Sequence, residues 1–328
     1  MFLYLENNIG NIKKFIMEFD HIIEKKFLSE DGRIHHGKKI DEKDNFTVIE
    51  CEYCGFTHVI PIPEQEELEK LYEDEYYSSD KPLTFKETEE DRSWWELHYN
   101  FYYELIEKNL KLNSKKLLDI GSGPGLFLKV GKKRGWNVTG FEPSIRAYQC
   151  SKKFGLNIIN DFFDVKTALE DGAFDVVSMF NVIEHLADPK SIIKDVKSVL
   201  KERGLFCIIA PNDYNPLQNT LKKNLNVDSY WLEPPEHLNY FNFHSVKKLL
   251  EELDFEVINS LATFPMEFFI LNGKNYLNNE ILGHKCHVIR KNFEMNLAKN
   301  DKNLLYNFFS FLAENEIGRE FVILARLK

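Results

Sequence analysis

The sequence predicts an α/β protein built on a doubly wound, mainly parallel sheet, and three observations predict it. The apolar run Leu117-Leu118-Asp119-Ile120 leads into Gly121-Ser122-Gly123-Pro124-Gly125, and Leu126-Phe127-Leu128-Lys129-Val130 then starts a helix. This is strand, tight glycine turn, helix. The stretch 115–210 goes on to alternate short apolar strands with helical patterns, which is how parallel sheets are connected. Phe174–Phe180 reads as a strand buried within that sheet.

With 328 residues, 43% of them hydrophobic, the chain can bury one large core or two modest ones. A net charge of −10 argues against a broad phosphate-backbone footprint, so no nucleic-acid partner is expected. No apolar run is long enough to span a bilayer. Met1-Phe2-Leu3-Tyr4-Leu5-Glu6 lacks the basic segment and long apolar core of a signal peptide. Five cysteines do not make a disulfide framework. A soluble, cytoplasmic protein is therefore expected.

Residues 1–30 carry Ile12, Phe15, Ile16, Phe19, Ile22, Ile23 and Phe27 at helical spacing, which predicts a helix. Then comes Cys51-Glu52-Tyr53-Cys54-Gly55, the shape of a metal knuckle whose turn aims both sulfurs at one ion. A structural zinc site takes four ligands, and His35, His36 and His58 can supply the missing ones as neutral imidazoles. A degenerate knuckle without metal is one alternative, and a redox disulfide, without a thioredoxin-like strand–motif–helix context around it, is another. Glu64–Tyr77 reads as a helix after Pro61-Ile62-Pro63, and Tyr77 near its end is a candidate phenol donor. Residues 80–91 are a polar linker, and a second aromatic helix runs from Ser93 to Leu110.

Beyond the glycine turn, Trp136–Phe141 is a strand closing on Glu142, followed by Pro143 and Ser144. Glu142 stands about 20 residues past the turn, the distance at which a carboxylate meets ribose hydroxyls. Leu156–Ile159 is the next strand. It precedes Asp161, which can accept from an adenine amino group, and Phe162, which can flank the ring. The buried strand to Phe180 opens at its carboxyl end into Asn181-Val182-Ile183-Glu184-His185, where ligands of open α/β sheets sit. The strands Gly204–Ala210, Phe255–Ile258 and Glu320–Arg326 complete a seven-stranded Rossmann-like sheet.

Read in order, 117–212 resembles the class I S-adenosylmethionine (SAM)-dependent methyltransferases. The turn is G-x-G-x-G after an acidic residue, whereas a dinucleotide fingerprint would be G-x-G-x-x-G. The resemblance implies SAM as cofactor, held by Asp119, Gly121, Ser122, Gly123, Gly125, Glu142, Pro143, Ser144, Asp161, Phe162 and Asn181.

Past the sheet, Glu236-His237 is a general-base pair, because imidazole titrates near neutrality and a neighbouring carboxylate raises its basicity. The segment resembles the Glu-His-x-x-Tyr of methyltransferases acting on nucleotide sugars, some of which carry an amino-terminal zinc module. It departs from them in having one cysteine pair where they usually have two. The expected chemistry is methyl transfer to a small carbohydrate-type acceptor, a nucleotide sugar or polysaccharide precursor. O-methylation comes first, with C-methylation of a keto-sugar or N-methylation of a small metabolite as alternatives. His237 is the expected base, oriented by Glu236, with His185 or Tyr77 as a further polar contact. A binding or assembly subunit with a vestigial pocket is the non-enzymatic alternative. The expected organisation is a helical and metal-knuckle module over 1–90 and a methyltransferase core over 91–270. A helical insertion over 271–318 and the last core strand, 319–328, complete it. The insertion is a substrate or homodimer lobe, in which Arg290 and Arg319 could clamp an anionic group.

Overall fold

The computed structural model describes residues 24–29, 32–70, 90–111, 114–170 and 172–328. The chain divides between Ile62 and Pro63 into two compact units.

The first unit is antiparallel. Strands β1 (Glu24–Leu28), β2 (Ile34–Lys43), β3 (Phe46–Cys51) and β4 (Thr57–Ile60) pair in chain order. β1 corrects the helix expected over residues 1–30, at least for its described part. Phe27 is buried and Leu28 exposed, a two-residue alternation, and Phe27 sits opposite His35 in the ladder. Phe27 also fits the helical stripe of the sequence, but the pairing edge that β2 offers decides the outcome for Glu24–Leu28. The rest of that expected helix lies outside the described residues. Phe27, Ile49, Cys51 and Ile60 form the unit's apolar core, with Cys54 and Ile62 packed against it.

The second unit opens with α1 (Gln65–Lys70), the described part of the helix expected to reach Tyr77; Tyr77 itself lies outside the described residues. α2 (Arg92–Asn109) is the aromatic helix, burying Trp94, His98, Tyr102, Tyr103, Leu105 and Ile106. Next come β5 (Lys116–Ile120), α3 (Leu126–Lys133), β6 (Asn137–Phe141), α4 (Ile145–Lys152) and β7 (Asn157–Ile159). They are followed by α5 (Val165–Leu169), β8 (Phe174–Phe180), α6 (Pro189–Val199) and β9 (Leu200–Pro211). Asp188 caps α6 through Ser191 N–H, with Pro189 placed where no amide hydrogen is needed. After α7 (Pro216–Leu225) and α8 (Phe243–Glu252) come β10 (Phe255–Ala262) and the short α9 (Glu267–Leu271). The long helices α10 (Glu280–Asn300) and α11 (Lys302–Glu314) precede the last strand, β11 (Glu320–Leu327).

The sheet order is β10-β11-β9-β8-β5-β6-β7. β5 through β9 are parallel, and β11 runs antiparallel to both β9 and β10. The seven-stranded, mainly parallel α/β fold is the one expected. Covered on both faces, β8 and β9 are buried along most of their length, which explains their near-unbroken apolar sequence. The reversal of strand order falls between β5 and β8, so the carboxyl ends of β5 and β8 open a crevice between them.

Candidate active site

A cavity of about 730 Å3 lies at those carboxyl ends. Its size suits a nucleoside-sized ligand. Asp119 lines it from the end of β5, Gly121, Ser122 and Gly123 from the turn that follows, and Glu142 and Pro143 from just past β6. Asp161 and Phe162 border it beyond β7, and Asn181 and His185 beyond β8.

The turn is fixed by backbone geometry. Gly121, Gly123 and Gly125 all have positive φ. A Cβ on Gly121 would lie 2.5 Å from Val182 Cγ2, and one on Gly125 would lie 2.7 Å from Leu156 Cδ1. Gly125 does not border the cavity. It caps α3 in the left-handed conformation, so its demand for glycine comes from helix packing. Ser144 is likewise set back, donating its N–H to Glu142 Oε1 at 2.9 Å.

Glu142 ties the turn to β6. Its Oε2 accepts the Gly123 N–H at 2.7 Å, and the whole side chain is buried. A carboxylate has about four lone-pair sites, so two backbone donors leave it able to accept hydroxyls from the cavity. Burial pushes both Glu142 and Asp119 up to about 7, with Ser178 Oγ–H donating to Asp119 Oδ1 at 2.6 Å. Ser122 Oγ, buried at the cavity wall, has no hydrogen-bond partner among the described residues. These groups fit a ribose and an amino-acid tail. Asp161 accepts from the Phe162 N–H at 2.8 Å, which orders the loop that presents the Phe162 ring.

Sequence reasoning missed two kinds of wall. Trp95, Tyr99 and Tyr102 of α2 face the cavity, and their i, i+4, i+7 spacing is the signal that could have found them. Glu320 also borders it, from the first residue of β11, where nothing local marks it.

On the far side of the cavity stands a histidine pair. The His185 and His237 rings are 4.9 Å apart, edge to face. His185 Nδ1 lies 2.7 Å from the Glu236 carbonyl oxygen, to which it must donate, so Nε2 is the nitrogen that can take a proton. That Nε2 lies 3.7 Å from Glu184 Oε1, and His237 Nε2 lies 3.8 Å from Glu233 Oε2. The ring bordering the cavity is His185, with His237 against it.

The first unit gathers four of its five candidate metal ligands. The ligand atoms of His35, Cys51, Cys54 and His58 all lie within 4.8 Å of one another. His35 Nδ1 is 3.1 Å from His58 Nε2, 3.4 Å from Cys54 Sγ and 3.9 Å from Cys51 Sγ. Tetrahedral zinc with Cys and His ligands has donor–donor edges of roughly 3.3–3.8 Å, so the spacing fits. His58 Nδ1–H donates to the Val59 carbonyl at 2.8 Å, turning Nε2 toward the cluster. A hydrogen bond with Cys54, with the His35 and His58 rings beside it, holds the Cys51 thiol far below its ordinary value despite burial. His36 is a correction. Next to His35 on a strand, it points to the opposite face and pairs with Glu52 at 3.5 Å.

The expected cationic clamp is also corrected. Arg290 is buried over the Trp94 ring at 4.7 Å and donates to Glu294, which also accepts from His98. The Arg319 charge sits among Glu267 and Asp213. Neither guanidinium offers an uncompensated charge to an anion.

A family described as a methyltransferase domain matches residues 94–260. The chain is 29% identical over 220 residues to a ubiquinone biosynthesis O-methyltransferase of Pasteurella multocida, covering 58% of this chain and 88% of the relative. Its similarity to the same enzyme of Actinobacillus pleuropneumoniae is 28% over 214 residues, covering 58% and 89%. Among solved structures it is similar to a SAM-dependent methyltransferase from Archaeoglobus fulgidus, at 19% identity and a TM-score of 0.46 over 74% of this chain and 99% of that one.

Proposed function

We propose, for a chain that belongs to the methyltransferase-domain family and is a SAM-dependent methyltransferase, that the methyl group goes to a hydroxyl oxygen of a small carbohydrate-type acceptor. The observation that carries this reading is the His185–His237 pair at the edge of the glycine-turn cavity. SAM supplies an already reactive sulfonium methyl, so the protein's task is to bind, orient and deprotonate. Glu142 accepts the ribose hydroxyls while the Gly123 amide holds its carboxylate in place. Phe162 and Asp161 flank the base. The histidine pair takes the acceptor's proton, with His185 held in one tautomer by the Glu236 carbonyl. The relatives' names, O-methyltransferases, favour oxygen as the accepting atom.

The test is incubation with methyl-labelled SAM and a panel of nucleotide sugars. Label is expected in at least one sugar, in an ether stable to mild base. A panel left wholly unlabelled, while a phenol or an amine takes label, would overturn the carbohydrate reading. Label on a ring carbon of a keto-sugar would move the accepting atom from oxygen to carbon.

The same proposal gives the Cys51, Cys54, His35 and His58 cluster a structural zinc ion. Elemental analysis of protein purified without chelator is expected to find one zinc per chain. Cys54→Ser is expected to lower the metal content below about one tenth, because three ligands of this set hold zinc far more weakly than four. Protein that carries no stoichiometric zinc or other transition metal removes this part of the reading.

A further inference from the structure

The cavity crosses most of the sheet. Phe162 borders it beyond β7, and Glu320 borders it at the first residue of β11. Four strands stand between β7 and β11 in the sheet. At about 4.8 Å per strand, the cavity reaches on the order of 20–25 Å. A cofactor held at Glu142 and Asp161 would occupy the β6–β7 end and leave the β9–β11 end to the acceptor.

The charge of the wall is one-sided. Among the described residues that line the cavity, Asp119, Glu142, Asp161, Asp188 and Glu320 are acidic, His185 is the one basic group, and none is lysine or arginine. A cleft walled by one sign of charge concentrates the opposite sign and repels its own. An anionic group, a diphosphate included, is therefore disfavoured inside it.

Four of these acids have duties elsewhere. Asp119 accepts from Ser178, Glu142 from the glycine turn and Asp161 from the Phe162 N–H, while Asp188 caps α6. Glu320 stands across the sheet from all the cofactor groups, opposite Pro211 at the carboxyl end of β9. Its N–H donates to Thr263 Oγ1 and its carbonyl accepts the Thr263 N–H, both at 3.0 Å, so its backbone is fixed. Burial holds the Tyr99 and Tyr102 hydroxyls above their ordinary value, and the Glu320 charge acts on both in the same direction, which sets its carboxylate near those rings. The rings are themselves braced, Tyr99 stacked on Trp95 at 5.6 Å and Tyr102 edge-on to Phe180 at 6.0 Å. A carboxylate beside aromatic rings recognises an ammonium group, by ion pairing on one side and by the ring quadrupole on the other. A neutral hydroxyl gains only the hydrogen bond.

We infer that the β9–β11 end of the cavity is an acceptor subsite for a cationic group, in which Glu320 and the Tyr99 and Tyr102 rings hold a protonated amine of the acceptor. Resting on the carbohydrate reading given above, this names an amino sugar as the acceptor and leaves any diphosphate carrier outside the cavity.

The probes are UDP-glucosamine and its uncharged counterparts UDP-glucose and UDP-N-acetylglucosamine, with tyramine and p-cresol as an amine and a neutral phenol that carry no sugar. Each is titrated by calorimetry near neutral pH into the full chain saturated with S-adenosylhomocysteine, and each is assayed with labelled SAM. UDP-glucosamine is expected to bind about tenfold more tightly than either uncharged sugar, the worth of one charge-assisted contact. Glu320→Gln keeps the volume and should abolish that preference, while Glu320→Asp keeps the charge and should retain most of it. S-adenosylhomocysteine affinity should change by less than threefold in both. A wild type that methylates the uncharged sugars and shows no preference for the amine overturns the subsite and leaves the carbohydrate reading standing. A preference that survives in Glu320→Gln, or a tenfold loss of S-adenosylhomocysteine affinity there, also overturns it, the latter by giving Glu320 to the cofactor. Tyramine bound better than p-cresol in a Glu320-dependent way, with no sugar bound or methylated, supports the cationic subsite and overturns the carbohydrate reading. No amine preference in either set, with no sugar methylated, overturns both.

Discussion

Replacing Glu142 with alanine is expected to weaken SAM binding by about 10²–10⁴-fold. Among the described residues, the carboxylate is the one side chain that both accepts from the glycine turn, at Gly123, and borders the cavity where ribose hydroxyls would lie. Hydrogen bonds to a charged group contribute about 1.5–3 kcal/mol each, so losing two costs about 3–6 kcal/mol. Glu142→Gln is the milder control. It keeps the volume but sets an NH2 against one of the two backbone donors. Calorimetry on the folded variants reads the effect, and an affinity within threefold of wild type would exclude Glu142 from the cofactor site.

A pH dependence comes with it. Burial places Glu142 at about 7, above the ordinary carboxylate value, and the ionised form is the better acceptor for hydroxyls. Cofactor affinity is therefore expected to rise about tenfold from pH 6 to pH 8. The opposite trend is expected for the ligand-free fold. Its buried acid keeps a proton that the unfolded chain has released above about 4.5, so this contribution to stability is full below that value and is lost as pH rises through about 7. Melting curves with and without SAM separate the two.

The second large effect is expected at the histidine pair. His237→Ala and His185→Ala should each lower kcat by about 10²–10⁴-fold, the range for removing a general base. SAM affinity should change by less than about threefold in His237→Ala, whose ring stands against His185 at the cavity edge. The double variant should be little worse than either single one, because groups acting as a unit are not additive. Full turnover in both single variants would falsify the assignment of the base. Loss in His185→Ala alone would make His185 the base and His237 its neighbour.

The core of the fold was legible because its signals are local. The G-x-G-x-G turn after Asp119, the acid ending β6 and the buried runs of β8 and β9 each read correctly from a few adjacent residues. The knuckle was legible in the same way, since two cysteines three positions apart must share a turn. What failed was anything that a neighbour in space decides. Phe27 ends a helically spaced stripe of the sequence, but β1 takes the edge that β2 offers. Arg290 reads as a clamp for an anionic group, yet it is buried against Trp94, almost 200 positions earlier in the chain.

The sequence by itself determined the sheet core, the cofactor turn and which residue types could hold a metal or move a proton. Those depend on backbone φ, on alternation and on short spacing, all written within a few residues. Only the tertiary structure decided which histidines complete the cluster, because His35 and His36 differ only in the face of one strand they occupy. Only it put His185 between the cavity and His237. Such groupings arise from strand order and helix packing, which bring together side chains that no local pattern links.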